Sequence, residues 1–216
     1  MLSIIVPVYN EEKVLREKQS YYRVLSNAAQ IIFVDGGSQD RTVEIAQIYG
    51  QVISSCKGRG LQKNAGAVVA SSDHLLFLHV DTCIDENTIL EINAAFDQNI
   101  QAGCMTLKID DVRWIFRLFG FLVNRRAKYF GVIDGDSGLF IRRDTFNRLG
   151  RFESVPFMED ILFSKRLCQV KERVVLLCPI HVSSRKWHEQ GFLKTLNQYT
   201  RAYWAFWTGM GRFQKL

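Results

Sequence analysis

Two acidic clusters hold residue types from which group transfer can be built. Glu159 and Asp160 follow Phe157 and Met158 and open a predicted helix. His79, Val80, Asp81 and Thr82 close a predicted strand that begins with apolar residues. One carboxylate can hold a hard divalent metal and another can take a proton, and transfer from a diphosphate donor needs both. No nearby arrangement of Ser, Cys or His points to a competing nucleophile. The plain alternative for Glu159 and Asp160 is negative charge at a helix N-terminus, which its dipole favours.

The elements that must position these groups alternate. Residues 2–8 (LSIIVPV) read as a short buried parallel strand. Residues 11–25 read as an amphipathic helix, 30–34 as a second strand, and 40–49 as a helix that Ser38 could cap. A third strand at Val52 and Ile53 precedes a loop at Gly58, Arg59 and Gly60 and a helix through Ala70. Residues 74–80 form a fourth strand and 85–96 a helix. This βαβαβαβ order predicts an α/β fold: a mostly parallel central sheet flanked by helices. After about Gly103 the rhythm changes. Strands are expected at 104–109, 138–141 and 174–178, and helices at 112–130, 144–149, 159–170 and 191–208. A chain of this length buries one good core, so one domain is expected over 1–216. Its first half, to about residue 103, would hold the nucleotide, and its second half the acceptor.

Ligands of open α/β sheets bind at the carboxyl ends of the strands. Here those ends carry Pro7, Tyr9, Asn10 and Glu11, then Asp35, Gly36, Gly37 and Ser38, then His79 and Asp81. Pro7 fixes φ, Tyr9 can flank a base, and Glu11 or Asp35 can accept from a base N–H or a ribose hydroxyl. The alternative is that Asn10 and Ser38 are helix caps and Asp35 a turn residue. Gly36 and Gly37 lack the GxGxxG spacing, and residues 58–64 lack the GK[ST] of a P-loop, so redox-dinucleotide and ATPase readings are weak.

The motifs PVYNE (7–11), VDGGSQDRT (34–42), GRGLQKNAG (58–66), HVDT (79–82), GDSGLFIRR (135–143) and MED (158–160) resemble the family 2 glycosyltransferases of the GT-A fold, in the family's order. The short length, HVDT, GDSGLFIRR and SSRKW (183–187) resemble a small bacterial subgroup labelled arsenosugar-biosynthesis glycosyltransferases. The resemblance implies a Rossmann-like first half, a nucleotide-diphospho-sugar donor with UDP favoured, a hydroxyl acceptor, a divalent metal (Mn or Mg) and an inverting displacement. It places Pro7, Tyr9, Glu11 and Asp35 at the nucleoside, with Gly60, Gln62, His79 and Arg185 as further donor-side positions. Gly135, Asp136, Ser137 and Trp187 fall on the acceptor side. Asp81 matches the metal-binding acid of the DxD motif. Asp160 matches the general base, with Glu159 beside it. His79 stands where the commoner motif has an acid; it reaches the donor through a ring nitrogen or is a hydrogen-bonded strand histidine. A non-catalytic sugar-nucleotide-binding protein is the competing reading, with His79 its only support.

Among the basic residues, Arg59, Lys63, Arg142, Arg143, Arg185 and Lys186 lie in or beside motif loops where they could meet a diphosphate. His181 and His188 are candidates for a third metal ligand, though an ordinary surface or core histidine explains each as well. Residues 113–128 form a basic aromatic stretch, and 192–207 add further aromatics. Such segments can lie on an anionic membrane, which would suit a polyprenyl-phosphate acceptor. They can equally pack on the sheet, line an acceptor pocket or form a homodimer interface. The basic balance alone decides nothing, and no nucleic-acid motif accompanies it. No basic leader or cleavage site precedes the first strand, and five scattered cysteines without CxxC spacing read as reduced core thiols. The expectation is a cytoplasmic protein, with peripheral contact at the inner face of the membrane as its variant.

Overall fold

The structure, a computed structural model, describes residues 1–184 together with Gly191, Asn197 and Thr200. The helix expected over 191–208 therefore lies outside the described residues but for those three positions, as do Arg185, Lys186, Trp187 and His188.

Among the described residues the strands are β1 (Ser3–Val8), β2 (Gln30–Asp35), β3 (Gln51–Ser54), β4 (His74–Phe77), β5 (Thr82–Cys83), β6 (Ala102–Ile109), β7 (Leu139–Arg142) and β8 (Arg173–Val182). The helices are α1 (Glu12–Glu17), α2 (Gln19–Ala28), α3 (Thr42–Ala46), α4 (Arg59–Val69), α5 (Glu86–Asp97), α6 (Trp114–Phe130), α7 (Arg143–Arg148) and α8 (Glu159–Leu167). One sheet runs β3-β2-β1-β4-β7-β6-β8-β5. The first four strands are parallel, as the alternation predicts. β7 then enters antiparallel between β4 and β6 and joins the two halves.

Both faces of the sheet are covered because its central strands are apolar on both sides. Side chains of one parity, with Ile4, Val6 and Phe33, pack under α1, α2, α5 and α6. The other parity, with Ile5, Val34 and Phe77, packs under α4, α7 and α8. α4 comes close because Gly66 faces β1. A Cβ there would stand 2.4 Å from Ile5 Cγ2 and 3.0 Å from Val34 Cγ2.

Several boundaries differ from the sequence expectation. The helix over 11–25 is two helices, because the chain leaves helical geometry at Lys18. The helix over 40–49 shrinks to α3: Asp40 accepts from Thr42 N at 3.0 Å at its entrance, and neither Asn10 nor Ser38 caps a helix. β4 stops at Phe77 rather than Val80, after which Leu78 N donates to Ile5 O. Pro7, with no N–H to give a ladder, lies past that point, where β1 no longer pairs with β4. β8 outruns its expected end because its register with β6 shifts between Met105 and Thr106, which places Pro179 after the irregularity. All five cysteines are free, but only Cys104 and Cys178 are buried; Cys56 and Cys168 are exposed and are not core thiols.

Candidate functional site

The ends of β1 and β2 are tied to each other. Asn10, at φ 53°, donates from its N–H to Ser38 Oγ at 2.9 Å and accepts from Gln39 N at 2.8 Å. Glu11 N donates to Thr42 Oγ1 at 2.7 Å. Asp35 is buried and folds back on its own turn, accepting from Gly37 N at 2.9 Å and Ser38 N at 3.1 Å. This is the turn role that the sequence left open. The Gln62 amide donates to Val8 O at 2.9 Å and Val34 O at 2.7 Å, so it pins the same two strand ends from below. Gly36 packs on that amide. Gln62 is thus a scaffold for the loops after β1 and β2, and its amide hydrogens are taken.

Tyr9 stands at the rim, 37% exposed, with Lys57 Nζ 3.6 Å from its ring centroid. Lys57 was not singled out from the sequence. The Tyr22 hydroxyl donates to Val80 O at 3.0 Å, beside the turn that carries Asp81. Burial first, then Tyr21, Cys83 and the charges of Asp81 and Glu11, push that hydroxyl well above its usual range. Asp81 is partly exposed in the tight turn that Thr82 closes onto His79 O.

His79 does not turn toward the donor loops. Its Nδ1 lies 2.7 Å from Asp136 Oδ1, on the 3-10 turn Gly135–Ser137, and its buried Nε2 has no hydrogen-bond partner among the described residues. Ser137 is buried beside it, its hydroxyl also unpartnered there. Gly135 N donates to Asp160 Oδ2, and Ile161 N donates to Asp160 Oδ1 at 2.8 Å. His79, Asp136, Gly135 and Asp160 thus form one cluster, which ties the turn bearing Asp81 to the first turn of α8.

Glu159 and Asp160 point to different partners. Glu159 is buried, and its Oε1 receives Lys63 Nζ from α4 at 2.8 Å. Burial would raise this carboxyl, but the charge and hydrogen bond of Lys63 outweigh it and hold Glu159 low, at about 2. Asp160 is pushed up, to about 6, by burial first and then by the adjacent Glu159 charge. Two neighbouring carboxyls are thereby driven apart, which suits one to be a fixed anion and the other a base titrating near neutrality. Met158, just before them, holds a left-handed φ of 66°, an uncommon geometry for a non-glycine residue that turns the chain into α8. Gly60 lets α4 approach this turn, since a Cβ there would stand 2.5 Å from Glu153 O.

The basic candidates sort plainly. Lys63 is the buried partner of Glu159, not a diphosphate ligand. The sequence reading missed this, although Gly60, Lys63 and Ala67 share the buried stripe of α4, where a lysine needs a carboxylate. Arg142 donates to Phe96 O and Ile100 O, and Arg143 to Ala67 O, Ala70 O and Ser72 O; both are structural. Arg59 is exposed at the start of α4 and close enough to Glu159 to help lower it. His181 Nδ1 pairs with Asp110 at 2.9 Å.

No group of three metal-ligating side chains forms among the described residues. What they offer is the Asp81 carboxylate, partly exposed at the end of the fourth strand. One carboxylate completed by donor phosphate oxygens fits Mg²⁺ or Mn²⁺, which bind substrate phosphates more often than all-protein cages.

Gly135 gives a direct test of the cluster. A methyl there would stand 2.9 Å from His79 Cε1 and Nε2 and 3.0 Å from Asp160 Oδ2. Gly135→Ala is expected to displace one of them. Displacements of about 1 Å can cost roughly 10²-fold in rate. Turnover should fall while nucleotide affinity holds, and unchanged turnover would show that the cluster does not set the reacting geometry.

Comparison with known proteins identifies the family. The model of glycosyl transferase family 2 matches residues 3–155. An undecaprenyl-phosphate 4-deoxy-4-formamido-L-arabinose transferase of Pseudomonas paraeruginosa is 41% identical over 162 residues, 66% of this chain and 46% of that one. A PGL/p-HBAD biosynthesis glycosyltransferase of Mycobacterium bovis is 28% identical over 168 residues, 70% of this chain and 63% of that one. The chain thus spans about half to three-fifths of the length of these relatives. Among solved structures, S. aureus TarS in complex with UDP superposes at a TM-score of 0.66 with 20% identity, over 84% of this chain and 60% of that one. Mannosyltransferase PcManGT from Pyrobaculum calidifontis, with GDP-Man and Mn²⁺, gives 0.63 with 16% identity, over 93% and 64%. The fold is of the GT-A type, and the chain belongs to glycosyl transferase family 2.

Proposed function

We propose that the protein transfers a sugar from a nucleotide-diphospho-sugar, with UDP as the favoured nucleotide, to an acceptor hydroxyl with inversion. The observation that carries this reading is the pairing of a raised carboxyl, Asp160, with a separate carboxylate, Asp81, joined through His79 and the turn at Gly135. Tyr9 flanks the base, and Glu11 accepts from the nucleoside. Asp81 would hold a divalent metal, which supplies a Lewis acid for the charge that grows on the leaving diphosphate. Asp160 takes the acceptor proton as the new bond forms. The hydrogen bond from Gly135 N fixes one of its oxygens, and the first turn of α8 fixes the other. Glu159, already neutralised by Lys63, stays ionised and keeps Asp160 basic.

A second reading keeps this chemistry and gives it a polyprenyl-phosphate acceptor at a membrane surface. It is favoured by the 41% identical relative, whose name specifies an undecaprenyl-phosphate transferase. No helix among the described residues is long and apolar enough to cross a membrane, so a contact made by them would be peripheral.

The test is a calorimetric titration of UDP and of GDP, each with and without Mn²⁺, on the wild type and on Asp81→Ala. Metal-dependent binding of UDP, lost in Asp81→Ala, is the expected result. Binding that ignores both the metal and the substitution would remove Asp81 from this role, and binding of GDP alone would reassign the donor.

A further inference from the structure

Helix α6 has two apolar faces, and among the described residues only one of them is buried. Phe116, Gly120, Val123 and Ala127 recur at helical spacing and are buried against the sheet. On the opposite side Trp114 is 72% exposed, Phe121 52%, Leu122 56% and Tyr129 60%, with Leu118 between them. Single exposed apolar residues are ordinary, but a stripe along a whole helix marks an interaction surface.

The charges on this face have one sign. Arg117, Arg125 and Lys128 are exposed, and no Asp or Glu occurs in Trp114–Phe130. The Arg125 guanidinium lies 4.9 Å from the Phe121 ring centroid and 5.4 Å from that of Tyr129, so cation and aromatic rings are presented together. The acids that border the helix and its groove are engaged: Asp110 with His181, Asp111 with Arg113, and Asp134 with Arg126. An open groove of ≈ 1050 Å³ runs along the same helix, lined by Phe116, Arg117, Gly120 and Phe121 and away from Asp81 and Asp160.

We propose that the outward face of α6 docks the protein on an anionic lipid bilayer. The aromatic stripe enters the boundary between headgroups and acyl chains, and Arg117, Arg125 and Lys128 meet the headgroup phosphates. A second copy of the chain fits less well, because a two-fold contact would set these cations against their own counterparts. Residues 185–216 offer no complement to these charges either: their one acid, Glu189, stands against Arg185, Lys186, Lys194, Arg201, Arg212 and Lys215. This surface is independent of the proposed reaction, and lipid binding is read without any transfer assay.

The experiment is co-sedimentation of the full chain with phosphatidylglycerol vesicles and with phosphatidylcholine vesicles, at low and high salt. The protein is expected to sediment with the anionic vesicles only and to be released by salt. Each of Arg117→Gln, Arg125→Gln and Lys128→Gln should lower partitioning about fivefold. Trp114→Ser combined with Phe121→Ser should lower it further with Tm unchanged, since both side chains are exposed. No sedimentation at low salt would overturn the proposal. So would sedimentation that neither set of substitutions changes, or a dimer that Trp114→Ser with Phe121→Ser abolishes.

Discussion

Asp160→Asn is expected to lower the turnover of sugar transfer by about 10²- to 10⁴-fold, the usual contribution of a positioned general base. The amide keeps the shape of the carboxyl. Its remaining oxygen can still accept from Gly135 N or from Ile161 N, the two donors that orient Asp160. Fold and nucleotide affinity should therefore survive while the proton acceptor is lost. Steady-state kinetics together with nucleotide titration separate the two. A loss in affinity with unchanged turnover would move Asp160 from the chemistry to the binding of substrate.

The pH profile adds a signature that a purely structural role would not move. Asp160 acts as a base only when ionised, and burial and then the Glu159 charge hold it up at about 6. Turnover in the wild type should fall as pH drops through that value, and Asp160→Asn should lack this limb. In Glu159→Gln the limb should move to lower pH. The substitution removes the anion that raises Asp160 and leaves Lys63, which lowers it, uncompensated. A limb that stays in place would show that another group titrates.

The two halves of this site differed in how far the sequence disclosed them. The parallel strands β1 to β4 were legible because each is an apolar run ending in a turn signal, such as Gly36 and Gly37 after β2. Asp81, Glu159 and Asp160 could be singled out as candidates because each acid stands beside apolar residues in the chain itself. The short β5 and the tail of β8 were not, since their pairing depends on a register shift near Pro179 that no periodicity announces. Nor was the partner of His79. Its Nδ1 meets Asp136, a contact between residues 57 apart that exists only once β7 has inserted beside β4. The basic residues misled for a related reason: a motif loop shows where the backbone goes, but not whether Lys63, Arg142 or Arg143 turns inward to satisfy a buried carboxylate or carbonyl.

Lys63→Met should be among the most destabilising single substitutions in the chain. Lys63 and Glu159 are 2% and 5% exposed at the side chain and bond at 2.8 Å, and the ammonium also lies 5.0 Å from the Phe152 ring centroid. Met fills similar volume but leaves Glu159 as a buried, uncompensated anion. Removing one partner of such a pair costs about 3–5 kcal/mol. For a chain of this length that corresponds to a fall in Tm of more than about 6 °C. The penalty depends on pH in a defined direction. In the wild type Glu159 is held below its unfolded value, so the pair contributes stability above the ordinary carboxylate range and loses it as pH falls toward about 2. The difference between wild type and Lys63→Met should therefore be largest at high pH and shrink as pH falls, first because burial raises Glu159 of the variant above the ordinary carboxylate range and lets it protonate, then because the wild type loses its own pair toward about pH 2. Adding Glu159→Gln should recover part of the loss, because a neutral amide beside Met has no charge to bury. Denaturant unfolding of the two single variants and the double variant checks all three points. A penalty independent of pH and not relieved by Glu159→Gln would mean that Lys63 matters for its packing on Phe152 rather than for its charge. In that case Glu159 would not be the fixed anion that keeps Asp160 basic.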